Sequence, residues 1–509
     1  MPQAGIPPPR EIDAMTTKSD NGAAGTPAEP LLFTPTTEPF PAEKLPTVFF
    51  DDDPALVDLW HAAWRIGWKH VYRSDAMPFS PYLGEGCGTN KVWIWDSCFM
   101  ALWGCYAPDL YPVHNTLDNF YAILNGKRCG IKVHHPDNPP LFGWAELELY
   151  RHTGDRERVA QLVGSGVLQN HWRWLENAAL PGDVMPWGAM PVLWRRLHRG
   201  YLWSGNPSGM DNTPRARGDY QYIVWVDALA QQGFFAETIA QLCEIAGNEK
   251  DASSFHARYE EKKALMQEYF DPEDGCFYDR SVLPDGGFAK VLTPASFWPV
   301  FAEMATKEQA ESMIGKLRDP EKLGGPVACP SVSRDDPDFD PRGGYWRGAV
   351  WLPVFYMTMK ALDRVGEFGL ARNLSLQLLR WMKTCYDREE PHTIWECYSP
   401  TEPKPATTKR ESLCRKDFCG WSALAPISLL IEDVIGVRSI DASTMTVTWY
   451  PPECRGRCGV GNLKTGGATI SLLAREGVAE VSCDRAFTLD LAGRSFALAP
   501  GCHRLPIPR

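Results

Sequence analysis

From residue 54 to residue 435 apolar side chains return every third or fourth position in one segment after another, and that period commits most of the chain to packed helices. The segments that carry it are 54–72, 95–106, 112–125, 139–152, 156–178, 219–231, 233–246, 251–269, 294–304, 307–316, 346–364, 367–386 and 419–435. About a dozen helices joined by alternating short and long connections suit a mainly α fold, the (α/α)6 barrel, whose inner helices open on one central cavity. An α-solenoid of the same helix count needs a fixed-period repeat, and none is visible. Pro139 and Pro140 suit a first helical turn, where a missing N–H costs nothing, and Asp155 after Gly154 suits an N-cap.

Past residue 436 the period changes to short alternating runs (TMTVTWY, ATISLLARE, AEVSCD, FTLDLA, RSFALA) separated by Gly-containing turns, the pattern of a small β-sandwich or β-sheet cap. Residues 1–45 are rich in Pro, Ala, Thr and Gly and poor in apolar residues, so a flexible tail is expected there, with Met15 a second candidate start. The expected division is therefore tail 1–45, helical catalytic barrel 46–435 and β domain 436–509.

Composition narrows the function. A net charge of -11 excludes a polyanion partner, since nucleic-acid binding needs a basic face. There is neither an 18-residue apolar span nor a signal peptide at the N-terminus, so a cytoplasmic protein without a membrane partner is expected. The 15 Cys are odd in number and scattered through helical segments, which fits reduced thiols used as small apolar fillers. Only Cys454 and Cys458 are spaced as a pair, and two further zinc ligands are not in view. The 20 Trp call for thick helix packing, for stacking of flat hydroxyl-edged ligands such as sugars, or for both.

Long Gly/Pro-rich stretches interrupt the helices at 180–218, 271–293, 318–345 and 387–418, and loops of that length inside a compact domain are where chemistry is sought. NPSGMDNTPRARGDY places Asp211 between Gly209 and Pro214, where the bland reading is a turn or cap. EEPHTIWECYSPTEPKP places Glu396 between Trp395 and Tyr398, and aromatic flanks desolvate a carboxyl and raise its pKa toward proton-transfer use. KVWIWDSCFM puts Trp93, Trp95 and Asp96 at a helix start, where Asp96 also suits capping. GGYWRGAVW does the same with Tyr345, Trp346 and Arg347, and FCGWSALAP with Trp421. Any one of these Trp reads as core; what stands out is aromatic and polar residues gathered at helix entrances from five separated regions.

WIWDS, DNPPLFGWAELELYRHTGD, SGMDNTPR, YWRGAVW and IWECYSP, in this order, resemble the motif series of glycoside hydrolase family 63, most of all its small mannosylglycerate and glucosylglycerate hydrolases, with trehalases as more distant relatives. The likeness covers roughly residues 54–435. It implies an (α/α)6 barrel that hydrolyses α-glycosides with inversion, without a cofactor. It implies Asp211 as general acid, Glu396 as general base, and a sugar subsite lined by Trp95, Asp96, Asn138, Trp144, Tyr345, Trp346 and Arg347 with Trp421 close by. Gly209 and Tyr398, inside the two carboxylate motifs, join the substrate-binding set. The sequence departs at Asn138, where those hydrolases often carry Gln. It also lacks the N-terminal β-sandwich of larger members, and 437–509 lies outside the matched part.

The implied partner is a small α-linked glycoside losing one terminal glucosyl or mannosyl unit. For a glycerate leaving group, Arg215 or Arg217 is the expected carboxylate receiver. Three other functions share such a barrel. A phosphorylase needs no base, an epimerase needs paired His (His134 and His135 are neighbours expected to point to different sides), and a non-catalytic sugar-binding protein needs no carboxylate pair. DPEDG at 271–275 and SRDDPDFDP at 333–341 are acidic enough for Ca2+, though neither follows the EF-hand order.

Overall fold

The computed structural model describes residues 30–177, 188–217, 219–283 and 286–508. Leu32–Arg509 is one compact unit; of Met1–Leu31, only 30 and 31 are described, so the tail expected at 1–45 lies mostly outside the described residues. Its last part does not: Thr34–Pro35 pairs with Val71–Arg73, and a single turn follows at Ala42–Lys44.

The helices are α1 Pro54–Trp68, α2 Ile94–Gly104, α3 Val113–Leu124, α4 Phe142–Thr153, α5 Arg156–Ser165, α6 Val167–Glu176, the single turn α7 Gly205–Ser208, α8 Val226–Ile245, α9 Glu249–Met266, the short α10 Trp298–Phe301, α11 Lys307–Arg318, α12 Leu352–Arg364, α13 Phe368–Arg388 and a π-helix, Ala425–Ile435. α2, α4, α8, α10, α12 and the π-helix each pack against the next, and the π-helix packs back on α2, so the six close a ring. α3 lies on α2, α5 on α4 and α8, α9 on α8, and α13 on α12 and the π-helix. Burial follows this layering. All eleven residues of α2 and all eleven of the π-helix are buried, whereas α9 buries one stripe, Ala252, Phe255, Tyr259, Lys262 and Met266. A helix enclosed on every side is apolar all round, and one with a solvent face is not.

Several sequence boundaries shift, each for a local reason. The helix expected at 156–178 is two, α5 and α6, because Gly166 sits at φ +70 between them; residue 178 lies outside the described residues. The two expected at 219–231 and 233–246 are the single α8. Gly233 does not break it: a Cβ there would lie 2.2 Å from Met304 Cε and 2.9 Å from Lys262 Cβ, so this glycine lets α9 and the turn after α10 approach. The helix expected at 346–364 begins at Leu352, because Gly343, Gly344, Tyr345 and Gly348 all adopt positive φ. Pro139 and Pro140 precede α4 rather than opening it, with a turn from Leu141 N to Pro139 O (2.9 Å) between. Asp155 caps α5 as expected, accepting from Arg158 N at 2.9 Å.

The C-terminal strands form two sheets. Val437–Asp441, Thr446–Trp449, Phe487–Leu491 and Arg494–Leu498 make one, with Thr446–Trp449 parallel to Phe487–Leu491. Cys458–Thr465, Ala468–Arg475, Val478–Cys483 and Gly501–Pro506 make the other, all antiparallel, and its fifth strand is Thr47–Phe50 from the front of the chain. A further five-stranded antiparallel sheet is built from Arg195–Leu197, Gly200–Leu202, Ile223–Val224, Asp279–Ser281 and Phe288–Ala289; four of its strands occupy stretches expected to be loops, while Ile223–Val224 lies in the helix expected at 219–231, which starts only at Val226. Among the described residues no helix is long and apolar enough to cross a membrane. All fifteen cysteines are unpaired, most of them buried.

Candidate active site

Asp211 stands on a loop that the backbone folds tightly. α7 ends in Gly209 at φ +83, directly over Trp95, where a Cβ would lie 3.0 Å from the indole. At the other end of α7 the chain doubles back so closely that a Cβ on Gly205 would lie 2.1 Å from Asp211 O. Asn138 Nδ2 donates to Pro207 O at 2.8 Å, holding the turn from the start of the α4 region, while its Oδ1 is buried without a partner. Behind the loop Arg215 is fully buried, donating to both oxygens of Asp227 (2.6 and 2.8 Å) and of Asp279 (2.9 and 2.6 Å), with its guanidinium 4.1 Å from the centre of the Trp225 ring.

The YWRG turn is clasped to the same loop. Asn212 Nδ2 donates to Gly344 O (3.0 Å), and Trp346 N donates to Asn212 Oδ1 (2.8 Å). Tyr345, held at φ 66, turns its hydroxyl to Glu396 Oε1 at 3.2 Å. Glu396 is fixed from four sides. Its N donates to Arg415 O (2.9 Å), Arg415 N donates back to Oε2 (3.1 Å), and Trp421 Nε1 and Ser422 Oγ both donate to its carbonyl (3.0 and 3.1 Å).

The carboxyls here are all desolvated. Burial pushes Asp211 up to about 6, aided by the Glu396 charge and opposed by Lys409 and Arg415. Burial also raises Glu396, opposed by the Arg415 charge and by its hydrogen bonds from Arg415 N and Tyr345, which favour the ionised form. Asp96, at the start of α2, is raised first by burial and next by Glu85. Glu85 is pushed up to about 7 by burial while accepting from Trp93 N (3.1 Å) and Ser97 Oγ (3.4 Å). Both carboxylate charges, Asp211 and Glu396, act on Tyr345.

The expected residues fall into two groups. Asp211, Glu396, Asp96, Tyr345, Gly209, Trp95, Asn138 and Trp421 belong to this connected neighbourhood. Trp144 is packed among Phe99, Phe234, Phe301, Trp298 and Tyr356, and Trp346 is fully buried, stacked on Trp351 at 4.2 Å. Tyr398 is buried, its hydroxyl accepting from Trp395 N at 3.1 Å. Arg347 reaches Asp338 (2.7 Å) and Asn212 O (3.3 Å). The two arginines expected to receive a carboxylate are already engaged, Arg215 as above and Arg217 with Asp336 (2.9 Å) and Asp338. The adjacent His134 and His135 do not diverge; their rings pack at 4.4 Å. In the acidic loops Asp271 and Asp274 pair with Lys290 (2.7 and 2.9 Å) and Asp335 with Lys322 (2.7 Å), and no cluster of three metal-ligand side chains occurs among the described residues.

Three residues of this neighbourhood escape the sequence reading. Asn212 lies inside SGMDN, and an amide beside a loop carboxylate was the available signal. Glu85 and Arg415 carry none, since only folding brings Glu85 to Asp96 and Arg415 to Glu396.

The family model for the mannosylglycerate hydrolase MGH1-like glycoside hydrolase domain matches residues 127–412, more than half of the chain. The chain is a member of glycoside hydrolase family 63. This family 63 hydrolase is similar to a mannosyl-oligosaccharide glucosidase of Saccharomyces cerevisiae, 26% identical over 265 residues, which are 46% of this chain and 30% of that enzyme. It spans only about a third of the two yeast glucosidases it matches. Its fold is like that of the family 63 mannosylglycerate hydrolase of Thermus thermophilus solved with glucose, at TM-score 0.53 and 19% identity over 73% of this chain and 99% of that one. A sialidase structure aligns at TM-score 0.68 and 14% identity over 94% of this chain and 42% of its own, a fold likeness that takes in the C-terminal sheets as well as the helices.

Proposed function

We propose that this family 63 hydrolase is an inverting, exo-acting α-glycosidase on an (α/α)6 barrel, releasing one terminal α-glucosyl or α-mannosyl unit from a small glycoside. The observation that carries the reading is the pair of desolvated carboxyls on two different loops, Asp211 and Glu396, meeting around Tyr345. Inverting hydrolysis takes one protonated carboxyl at the glycosidic oxygen and one ionised carboxylate holding water on the opposite face, roughly 6.5 to 9.5 Å apart. Asp211, lifted to about 6, supplies the proton to the leaving oxygen. Glu396, whose ionised form accepts hydrogen bonds from Arg415 N and Tyr345, takes the proton of the attacking water.

Asp96 at the start of α2 grips a sugar hydroxyl, and Trp95 under Gly209 forms an apolar wall. One turn further along α2, Phe99 meets Trp144, and six aromatic rings fill that interior, which favours a blind pocket and removal of a terminal unit.

The test is hydrolysis of glucosylglycerate, mannosylglycerate, trehalose, kojibiose, nigerose and maltose with the released anomer followed by NMR, for the natural sequence and for Asp211→Asn and Glu396→Gln. One α-linked substrate should yield β-anomer first, and each substitution should cut turnover by about 10² to 10⁴. Release of α-anomer, or turnover that survives both substitutions, would sink the assignment.

A further inference from the structure

We propose that the outward face of α13 carries a second, non-catalytic site for a carboxylate-bearing saccharide, such as a hexuronic acid. A cavity of about 520 Å³ runs along this helix under Pro403 and is lined by Asn373, Gln377, Arg380, Trp381, Thr384 and Arg388. Those positions recur at three- and four-residue steps, so one stripe of α13 forms the floor. The volume lies in the range of small-ligand pockets, roughly 300 to 1,000 Å³.

The lining chemistry selects the ligand. The N–H of Trp381 is already given to Ser399 O (3.1 Å), which fixes the indole and leaves its apolar ring for the face of a pyranose. Gln377 donates to Gly325 O (3.2 Å), which fixes this side chain along the floor. Arg380 is steadied by Asp53 through Nε (2.8 Å), which leaves the rest of its guanidinium fork unused by that bond. Arg388 has no ion-pair partner among the described residues.

No Asp or Glu lines the cavity, although the chain carries a net charge of -11. Two guanidinium groups gathered on an acidic protein, next to an aromatic ring and side-chain amides, match a ligand that joins one carboxylate to a ring of hydroxyls. The cavity backs onto the loop that carries Glu396, because Trp381 holds Ser399 of that loop, yet none of its lining side chains belongs to the candidate active site.

Saturation-transfer difference NMR on the full chain tests the site with D-glucuronate, D-glucose and inorganic phosphate as probes. Glucuronate should bind, the part of any glucose binding that depends on Arg388 should be at least tenfold weaker, and equimolar phosphate should not displace glucuronate. Arg388→Ala and Trp381→Ala should each weaken glucuronate binding at least tenfold. Arg388→Ala, a change at an exposed residue outside the candidate active site, should leave hydrolysis within twofold of normal and serves even where the Trp381 variant folds poorly. No glucuronate binding, glucuronate binding unchanged in Arg388→Ala, or glucose binding that Arg388→Ala weakens as much would overturn the proposal. Displacement by phosphate would reduce the site to a general anion patch and overturn it equally.

Discussion

At the scale of single residues, the electrostatics around Asp211 make a directional prediction. A general acid works only while protonated, so kcat/KM should fall as pH rises through the free-enzyme pKa of Asp211, near 6. The Lys409 charge opposes that elevated pKa, so Lys409→Ala should move the alkaline limb to higher pH, and added salt should shrink the difference because Lys409 is exposed. A limb that does not move in Lys409→Ala would count against Asp211 as the titrating acid. The same elevation has a cost in stability. Because the folded protein holds this proton more tightly than the unfolded chain, stability falls as pH rises from the ordinary carboxyl value of 3.8 toward 6. Asp211→Asn should therefore be more stable than the natural sequence at pH 7, by up to about 3 kcal/mol, and equal to it at pH 3, as read by urea melts. Asp211 and Glu396 were singled out in the sequence by the ordered motif series that resembles family 63, because each alone reads as an ordinary loop carboxylate. Arg215 and Arg217 looked like free cations there, and only the fold shows the acids that occupy them.

At the scale of elements, glycine marks what local sequence can and cannot tell. Gly166 and Gly233 both interrupt apolar-periodic stretches, but the first adopts φ +70 and ends a helix while the second stays helical beneath Met304 and Lys262. The difference lies in the neighbours, which are distant in sequence. The five-stranded sheet around Gly200–Leu202 was missed for a similar reason, four strands reading as loop and Ile223–Val224 as helix, since its two- and three-residue strands are too short to show alternation. The residue that anchors the Asp211 loop is the buried Arg215, bridging Asp227 in the first turn of α8 and Asp279 in that sheet. Arg215→Met keeps the volume but strands two carboxylates in the interior, so it should destabilise the fold by about 3 to 5 kcal/mol in a urea melt at pH 7. Adding Asp227→Asn and Asp279→Asn to Arg215→Met should recover part of that loss; no recovery would mean that packing around Trp225, rather than charge, dominates.

At the scale of the whole molecule, the helical region and the C-terminal strands are not separable in the way their composition invites. The change of period at 436 was legible, and so were the alternating strands that follow it. Their attachment was not, because it is made by contacts between the two ends of the chain. Thr47–Phe50 pairs with Cys458–Gly461, and Arg455 N reaches Asp52 Oδ1 (3.0 Å) across 403 positions. The ring is tied to the strands as tightly. Arg438 is buried between Asp433 of the π-helix and Asp363 of α12 (2.6 and 2.8 Å), Trp449 Nε1 donates to Ile435 O (3.0 Å), and Arg372 of α13 donates to Tyr450 O (2.7 Å). Removing residues 436–509 would leave Asp433 and Asp363 without Arg438, expose the otherwise buried end of the π-helix, and free Thr47–Phe50 as an unpaired apolar strand. A chain ending at 435 should therefore be recovered as aggregate, or as soluble protein with helical far-UV signal but no cooperative melt. Supplying 436–509 as a separate polypeptide during refolding should restore the cooperative transition. A truncated chain that melts cooperatively alone and retains activity would show instead that the helical ring is an independent folding unit.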